Sequence, residues 1–205
     1  MQNLIIDSRI REEEYKYLKH YFNIIKLPLS DDVYEEISGH SDIFFANLKD
    51  RIVMAPNRTL LSSIAQNSNF EIGHCAVERD YPKDVLYNVC QIGNKIIGSK
   101  YTDKSIKPDI VVKQGYTKCS ISVTSDNSCI TTDRGIAEAL KNNNIDVLYV
   151  QEHNIKLLKK DGSISKMQGF IGGATLVFDN KFVLFGDSKY LENKEKILEH
   201  LHAYN

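Results

Sequence analysis

The chain has 205 residues, a formal net charge of −1 and an apolar content of 42%. This length fits one domain or two small ones, with enough apolar side chains to close a core, and we expect a single domain at residues 1–205. The near-neutral, well-mixed charge argues against nucleic acid or an anionic membrane surface as a partner.

Signals for export, membrane insertion and metal binding are also missing. No stretch approaches the ~20 apolar residues of a membrane span, and the first residues, MQNLIIDSRIREEE, do not resemble a secretory signal. The cysteines form no CxxC pair and lack the close spacing of zinc ligands. We therefore expect a cytoplasmic protein with free thiols, no metal and no cofactor. The cysteines are Cys75, Cys90, Cys119 and Cys129.

The predicted elements begin with a strand, a helix and a strand within residues 4–30, and four hairpins follow. Each hairpin has Lys-Asp, Gly-Asn or Asp-Asn at its turn. The hairpins span 42–56, 84–99, 119–133 and 172–187. In each hairpin, one residue lies seven positions before the first residue of the turn. Equivalent hairpins would place these four residues at the same level of the structure. They are Asp42, Leu86, Cys119 and Gly172.

Further helices and strands separate the hairpins. The first hairpin leads to a predicted helix at 57–69 and a strand at 70–78. The third leads to a helix capped by Asp133 and then a strand at 145–150. The second hairpin leads to a strand at 110–115 without an obvious helix, and a helix within 189–205 follows the fourth.

These elements form five strand–strand–helix–strand units of about 40 residues, the first without its opening strand. A unit this small cannot bury its own apolar face, so neighbouring units must stack. The alternative is an ordinary α+β sandwich whose hairpins resemble one another by chance.

Five such units resemble the pentein fold, the pseudo-fivefold α/β propeller of ββαβ repeats found in guanidino-group-modifying enzymes. The segment HSDIFFAN (40–47) is similar to the first-blade pattern D-x-V-F-x-x-N of that superfamily, with one residue deleted. The segment FIGGATLV (170–177) is similar to its E-G-G-D-x-L pattern. The resemblance implies a Cys-dependent hydrolase or amidinotransferase acting on a carbon–nitrogen bond.

The sequence departs from that superfamily in three respects. Ile171 stands where family enzymes carry a carboxylate that engages the guanidinium, and Ala174 replaces a residue that is often acidic. The family nucleophile normally follows the glycine motif, but no cysteine follows residue 129 here. These departures leave a non-catalytic binding propeller as the alternative function.

Cys119 is the candidate nucleophile, His40 the candidate proton carrier and Asp42 their candidate carboxylate partner. His74 is a second histidine that could lower the pKa of a thiol. Two of these residues have a plain structural alternative: a small buried thiol for Cys119 and a turn cap for Asp42.

The remaining site predictions concern the ligand and the hairpin itself. The resemblance implies that Asn47, Gly172 and Gly173 line the central pocket, where we expect a small polar ligand with a guanidine or amide group. A two-residue turn at 126–127 would place Cys129 opposite Thr124 and on the other face from Cys119, which excludes a disulfide between the thiols.

Overall fold

The computed structural model describes residues 1–58 and 70–204 and shows a mixed α/β fold of small sheets and short helices. The helix predicted at 57–69 falls on residues 59–69, outside the described part of the chain. Among the described residues, no helix is both long and apolar enough to cross a membrane.

Short strands carry most of the regular structure. The first eight are β1 (Gln2–Asp7), β2 (Phe22–Leu27), β3 (Phe45–Asn47), β4 (Ile52–Met54), β5 (Phe70–Ile72), β6 (Cys90–Ile92), β7 (Lys95–Ser99) and β8 (Ile110–Val112). The others are β9 (Ile121–Ser125), β10 (Ser128–Thr131), β11 (Asp146–Tyr149), β12 (Lys156–Leu158), β13 (Ile164–Gln168), β14 (Thr175–Phe178) and β15 (Lys181–Leu184).

The described helices are short and lie between strands or at the end of the chain. The α-helices are α1 (Glu12–Leu18), α2 (Ser41–Phe44), α3 (Thr117–Ser120), α4 (Arg134–Lys141) and α5 (Lys194–His202). Turns of 3-10 helix occur at Glu35–Ile37, Ile171–Ala174 and Ser188–Tyr190. Helix α4 begins as predicted, because the Asp133 carboxylate accepts a hydrogen bond of 2.8 Å from the Ile136 N–H.

Three sheets repeat one topology, in which a hairpin is followed by a parallel third strand. They have the strand orders β3-β4-β5, β6-β7-β8 and β9-β10-β11. Strands β1 and β2 pair in parallel with α1 between them, and β14 pairs with β15 ahead of α5. The first three predicted hairpins are therefore each followed by a paired third strand, as the sequence pattern indicated.

The predicted hairpins are shorter than their sequence patterns indicated. Residues 42–44, 119–120 and 172–174 were predicted as strand, but they form the helical turns that precede β3, β9 and β14. In the second hairpin, residues 86–87 form a turn before β6. The prediction was wrong because an apolar pattern over two or three residues fits a helical turn as well as a strand.

Two other predictions required correction. Strand 70–78 ends at Ile72, so His74 and Cys75 lie in irregular chain. A register shift between Ser128 and Cys129 pairs Cys129 with Val123 instead of Thr124. All four thiols are nevertheless free.

One hairpin, β12–β13, was not predicted at all. It is tied to the start of the chain because the Arg9 guanidinium donates to the carbonyls of Leu158, Glu35 and Glu36. The Ser165 hydroxyl adds a hydrogen bond of 2.8 Å to the buried Glu36 carboxylate.

Buried side chains fall into three apolar clusters. The largest packs residues of the β1–β2 and β3–β4–β5 sheets around Phe44, Val53 and Tyr87, and it also contains Cys119. The second lies between the β6 and β9 sheets and α4, and contains Cys90 and Cys129. The third places Ile171 against Ile130, Val150 and Ile197.

Candidate active site

A cavity of about 1980 Å³ is lined by strands from each of the small sheets in the described part of the chain. Side chains from β1, β3, β6, β9 and β14 face it, together with the helical turns that precede three of these strands. The β12–β13 hairpin forms part of the wall. The turns bring polar residues from distant parts of the chain to one surface.

Three of the predicted catalytic side chains meet on this surface. The Cys119 thiol donates to Asp42 Oδ2 over 3.2 Å, although 77 residues separate them in sequence. His40 is next to this pair. An imidazole nitrogen of His40, a carboxylate oxygen of Asp42 and the sulfur of Cys119 all lie within 4.8 Å of one another. The chain therefore assembles a thiol, a carboxylate and an imidazole at the cavity wall.

Each member of this cluster is positioned by a short helical segment. Asp42 lies in α2, and His40 immediately precedes that helix. Cys119 lies in α3, where the Ser120 N–H donates to the Tyr116 carbonyl over 3.0 Å. Asp42 and Cys119 line the cavity from these two turns, whereas Ile43 and Phe44 of α2 are buried in the largest apolar cluster.

The environment of Cys119 favours the protonated thiol. Burial raises the pKa of Cys119 well above its ordinary value, and the neighbouring Asp42 carboxylate raises it further by charge and by accepting the thiol hydrogen. A hydrogen bond from Asn88 and the positive charge of Lys118 act in the opposite direction. Because its pKa is raised, Cys119 is a protonated thiol at neutral pH in the free protein. Its side chain is only 6% exposed.

The environment of His40 favours a neutral imidazole. Burial lowers the pKa of His40, and the positive charge of Arg9 lowers it further. The carboxylates of Asp42 and Asp7 raise that pKa, but they do not outweigh burial. Arg9 binds both oxygens of Asp7, which fixes this pair beside the histidine. A neutral imidazole next to a thiol is the protonation state that a general base requires.

The paired glycines have different environments. A Cβ on Gly172 would lie 2.3 Å from the carbonyl oxygens of Lys118 and Ile121, so the 3-10 turn packs directly on the backbone around Cys119. Gly173 is exposed, and a Cβ there would have no neighbour within 4 Å. Both glycines line the cavity, but only Gly172 is required for close backbone packing.

Ile171 points away from the cavity. Its side chain is fully buried in the cluster with Ile130 and Ile197. The position that carries a guanidinium-binding carboxylate in the resembling enzymes therefore contributes to the core in this chain. Asp42 is left as the carboxylate closest to the thiol.

Two predicted residues lie away from the cluster. Asn47 is exposed at the end of β3, where it faces the cavity without a described contact to the cysteine. His74 is exposed in the loop after β5, and its backbone N–H donates to the Asp103 carboxylate. His74 does not line the cavity, so it is not a partner of Cys119.

Three further residues, which carry no recognisable sequence signal, complete the site. Asn88 is buried and contacts both Asp42 and Cys119. Tyr116 lines the cavity, lies 6.3 Å from the Phe170 ring and donates its hydroxyl to Asp84. Burial raises the pKa of Asp84, while its bond from Tyr116 lowers it. No sequence motif marks these residues, because their roles depend on contacts between separate units.

The same cluster offers donors for a metal ion. Imidazole nitrogen, carboxylate oxygen and thiolate sulfur are all ligands of zinc-like ions. Within the described ranges, one group of three residues with these ligand types is close enough to hold a metal ion. It consists of His40, Asp42 and Cys119. Their spacing in sequence could not have predicted this, because Cys119 comes from a different unit.

The fold and site define a mixed α/β protein with a thiol–carboxylate–imidazole cluster in a large cavity. The chain belongs to a family of unknown function, DUF6873, whose profile matches residues 5–205. No curated protein and no solved structure matches the chain.

Proposed function

We propose that this protein is a cysteine-dependent hydrolase or transferase that acts on a carbon–nitrogen bond of a small cationic amidine or guanidine. The observation that carries the proposal is the convergence of Cys119, Asp42 and His40 at the wall of the cavity. A nucleophile, a base and an anionic group for a cationic ligand are thereby within reach of one another.

We infer that the fold is a five-bladed pentein-like propeller. Strands β1, β3, β6, β9 and β14, one from each predicted unit, all line the cavity. Among these, β3 contacts β6, β6 contacts β9 and β9 contacts β14. The Phe178 ring of β14 lies 4.7 Å from the Phe22 ring of β2, and α2 contacts β1. These contacts support a ring of five units, in which the last meets the first.

The charge of the cluster favours a cationic ligand. Asp42 accepts the thiol hydrogen and also raises the pKa of Cys119. A planar cation bound to this carboxylate would offset its charge and so lower the pKa of the thiol. Tyr116 and Phe170 form a nearby aromatic part of the cavity wall, which suits a planar cation. The nucleophile would then be activated when its ligand arrives.

The reaction balances with the residues present. His40 accepts the proton of Cys119, and the sulfur electron pair forms a bond to the central carbon of the amidine. The carbon–nitrogen bond then breaks, and the departing amine takes the proton from His40. In a hydrolase, water gives a proton to His40 and attacks the carbon, the sulfur departs and recovers that proton, and an amide or urea is released with one proton. In a transferase, an amine replaces water.

Alkylation by 2-chloroacetamidine tests this function. We expect saturable labelling of Cys119 at neutral pH, whereas the neutral 2-chloroacetamide should label it slowly and without saturation. Exposed Cys75 provides the internal control, because it should react with both reagents without saturation. Peptide mapping by mass spectrometry separates the two thiols. Labelling of Cys119 only after denaturation would contradict the proposal.

The second candidate function is a non-catalytic ligand- or protein-binding propeller. The burial of the Ile171 side chain favours it, because the cavity lacks the carboxylate that this position supplies in the resembling enzymes. In that case a guanidinium compound would protect Cys119 from alkylation without being converted. Ammonia or amine release, followed with the same compound, distinguishes the two functions.

A further inference from the structure

We propose that Asn88 is a positioning residue for Cys119, which holds the cysteine turn by its carbonyl oxygen and stabilises the sulfur anion by its amide N–H. This inference rests on the thiol chemistry proposed above. It assigns a role to a residue that lies in the turn before β6, in a different unit from both Cys119 and Asp42.

The carboxamide of Asn88 connects three groups of the site. Nδ2 donates to Cys119 Sγ over 3.2 Å and to the Asp42 backbone carbonyl over 3.0 Å. Oδ1 accepts from the Cys119 backbone N–H over 3.2 Å. The orientation is fixed by these partners, because the reversed amide would face an N–H with NH₂ and a carbonyl with oxygen.

The residues on both sides of Asn88 hold it in place. Tyr87 is fully buried, and its hydroxyl donates to the Cys75 carbonyl over 2.6 Å. Val89 is buried in the same apolar cluster. Asn88 itself is 1% exposed, so its amide has no access to water as an alternative partner. The N–H that faces the sulfur is therefore ordered before any ligand binds.

The charged and titratable groups around the sulfur make this N–H important. Asp42 opposes the thiolate, whereas Lys118 favours it. His40 lies within the same cluster, and the Tyr116 hydroxyl is near enough to interact with Cys119 by charge. The Lys118 ammonium is directed to the Gly172 carbonyl over 3.4 Å. Within the described ranges, the side-chain donor hydrogen-bonded to this sulfur is Asn88.

The test is the pH profile of Cys119 alkylation by neutral 2-chloroacetamide, measured by peptide mapping on the full-length chain after treatment with EDTA. Asn88→Leu removes every hydrogen bond of the amide at similar size. Asn88→Ala removes the same hydrogen bonds with a smaller side chain and, like the leucine variant, adds no charge beside the sulfur. Thr131→Val is the matched control, because it removes a buried bond of 2.8 Å to the Ser120 carbonyl without contacting Sγ.

Both Asn88 variants should alkylate about tenfold to a hundredfold more slowly at pH 8, with profiles displaced to higher pH. Thr131→Val should keep the parent profile even if it unfolds at lower temperature. If Asn88→Leu does not fold, Asn88→Ala decides the question. Parent-like alkylation of Cys119 in a folded Asn88 variant would overturn the proposal.

The effect of the Asn88 variants on alkylation by the neutral reagent can be judged separately from the proposed function. The neutral reagent requires no binding of a cation, so the Asn88 effect can be present when the preference for 2-chloroacetamidine is absent. Conversely, a saturable reaction with 2-chloroacetamidine combined with unchanged profiles in the Asn88 variants would refute only the role of Asn88.

Discussion

Gly172→Ala and Gly173→Ala form a matched pair that tests how the cysteine turn is held. The added Cβ of Gly172→Ala would lie 2.3 Å from two carbonyl oxygens and 2.7 Å from a third, that of Cys119. These are backbone atoms of α3 and β9, so the contacts cannot be relieved by a side-chain rotation. We expect a loss of about 3 kcal/mol in the free energy of unfolding, at the upper end of overpacking costs.

Gly173→Ala has no such contact, since nothing lies within 4 Å of its added Cβ. Its free energy of unfolding should remain within about 0.5 kcal/mol of the parent. Urea denaturation followed by circular dichroism measures both variants. With a slope of about 2 kcal/mol/M, the midpoint of Gly172→Ala should fall by about 1.5 M. Equal midpoints for the two variants would refute the close packing of the 3-10 turn on the cysteine turn.

Two further predictions concern pH. Burial alone would raise the pKa of Asp103, but hydrogen bonds from Ser105, His74 and Cys75 lower it to about 2. This carboxylate therefore stabilises the fold above about pH 4, and its contribution of about 2 kcal/mol is lost as pH falls towards 2. Asp103→Asn should be less stable than the parent at pH 7 but equally stable near pH 2 in urea titrations. A difference that is independent of pH would contradict this. Alkylation of Cys119 by 2-chloroacetamide should still be rising at pH 9, because burial raises its pKa; a plateau below pH 8 would contradict that assignment.

The repeat in the sequence located the site better than it described the local structure. Aligning the hairpin turns placed Asp42, Cys119 and Gly172 at one level, and all three lie in helical turns beside the same cavity. The pattern could not show that these residues are helical, because a single turn has too few residues to display a period of 3.6.

Other features depended on packing between units. The direction of Ile171 into the core and the contact of Asn88 with Cys119 both join segments that are distant in sequence. No local pattern specifies such contacts. The β12–β13 hairpin did have a local signal, Asp161-Gly162, which is typical of a tight turn between strands. Gly162 adopts a positive φ of 82°, which accounts for a glycine at this position.

The most direct test of the central claim is whether Asp42 recruits a cation to Cys119. The measurement is the ratio of Cys119 alkylation rates with 2-chloroacetamidine and 2-chloroacetamide, compared between the parent and Asp42→Asn, with Cys75 as the internal reference. Loss of a charge-assisted contact predicts that this ratio falls by about tenfold to a hundredfold in Asp42→Asn. An unchanged ratio would show that Asp42 does not bind the cation and would contradict the proposed function.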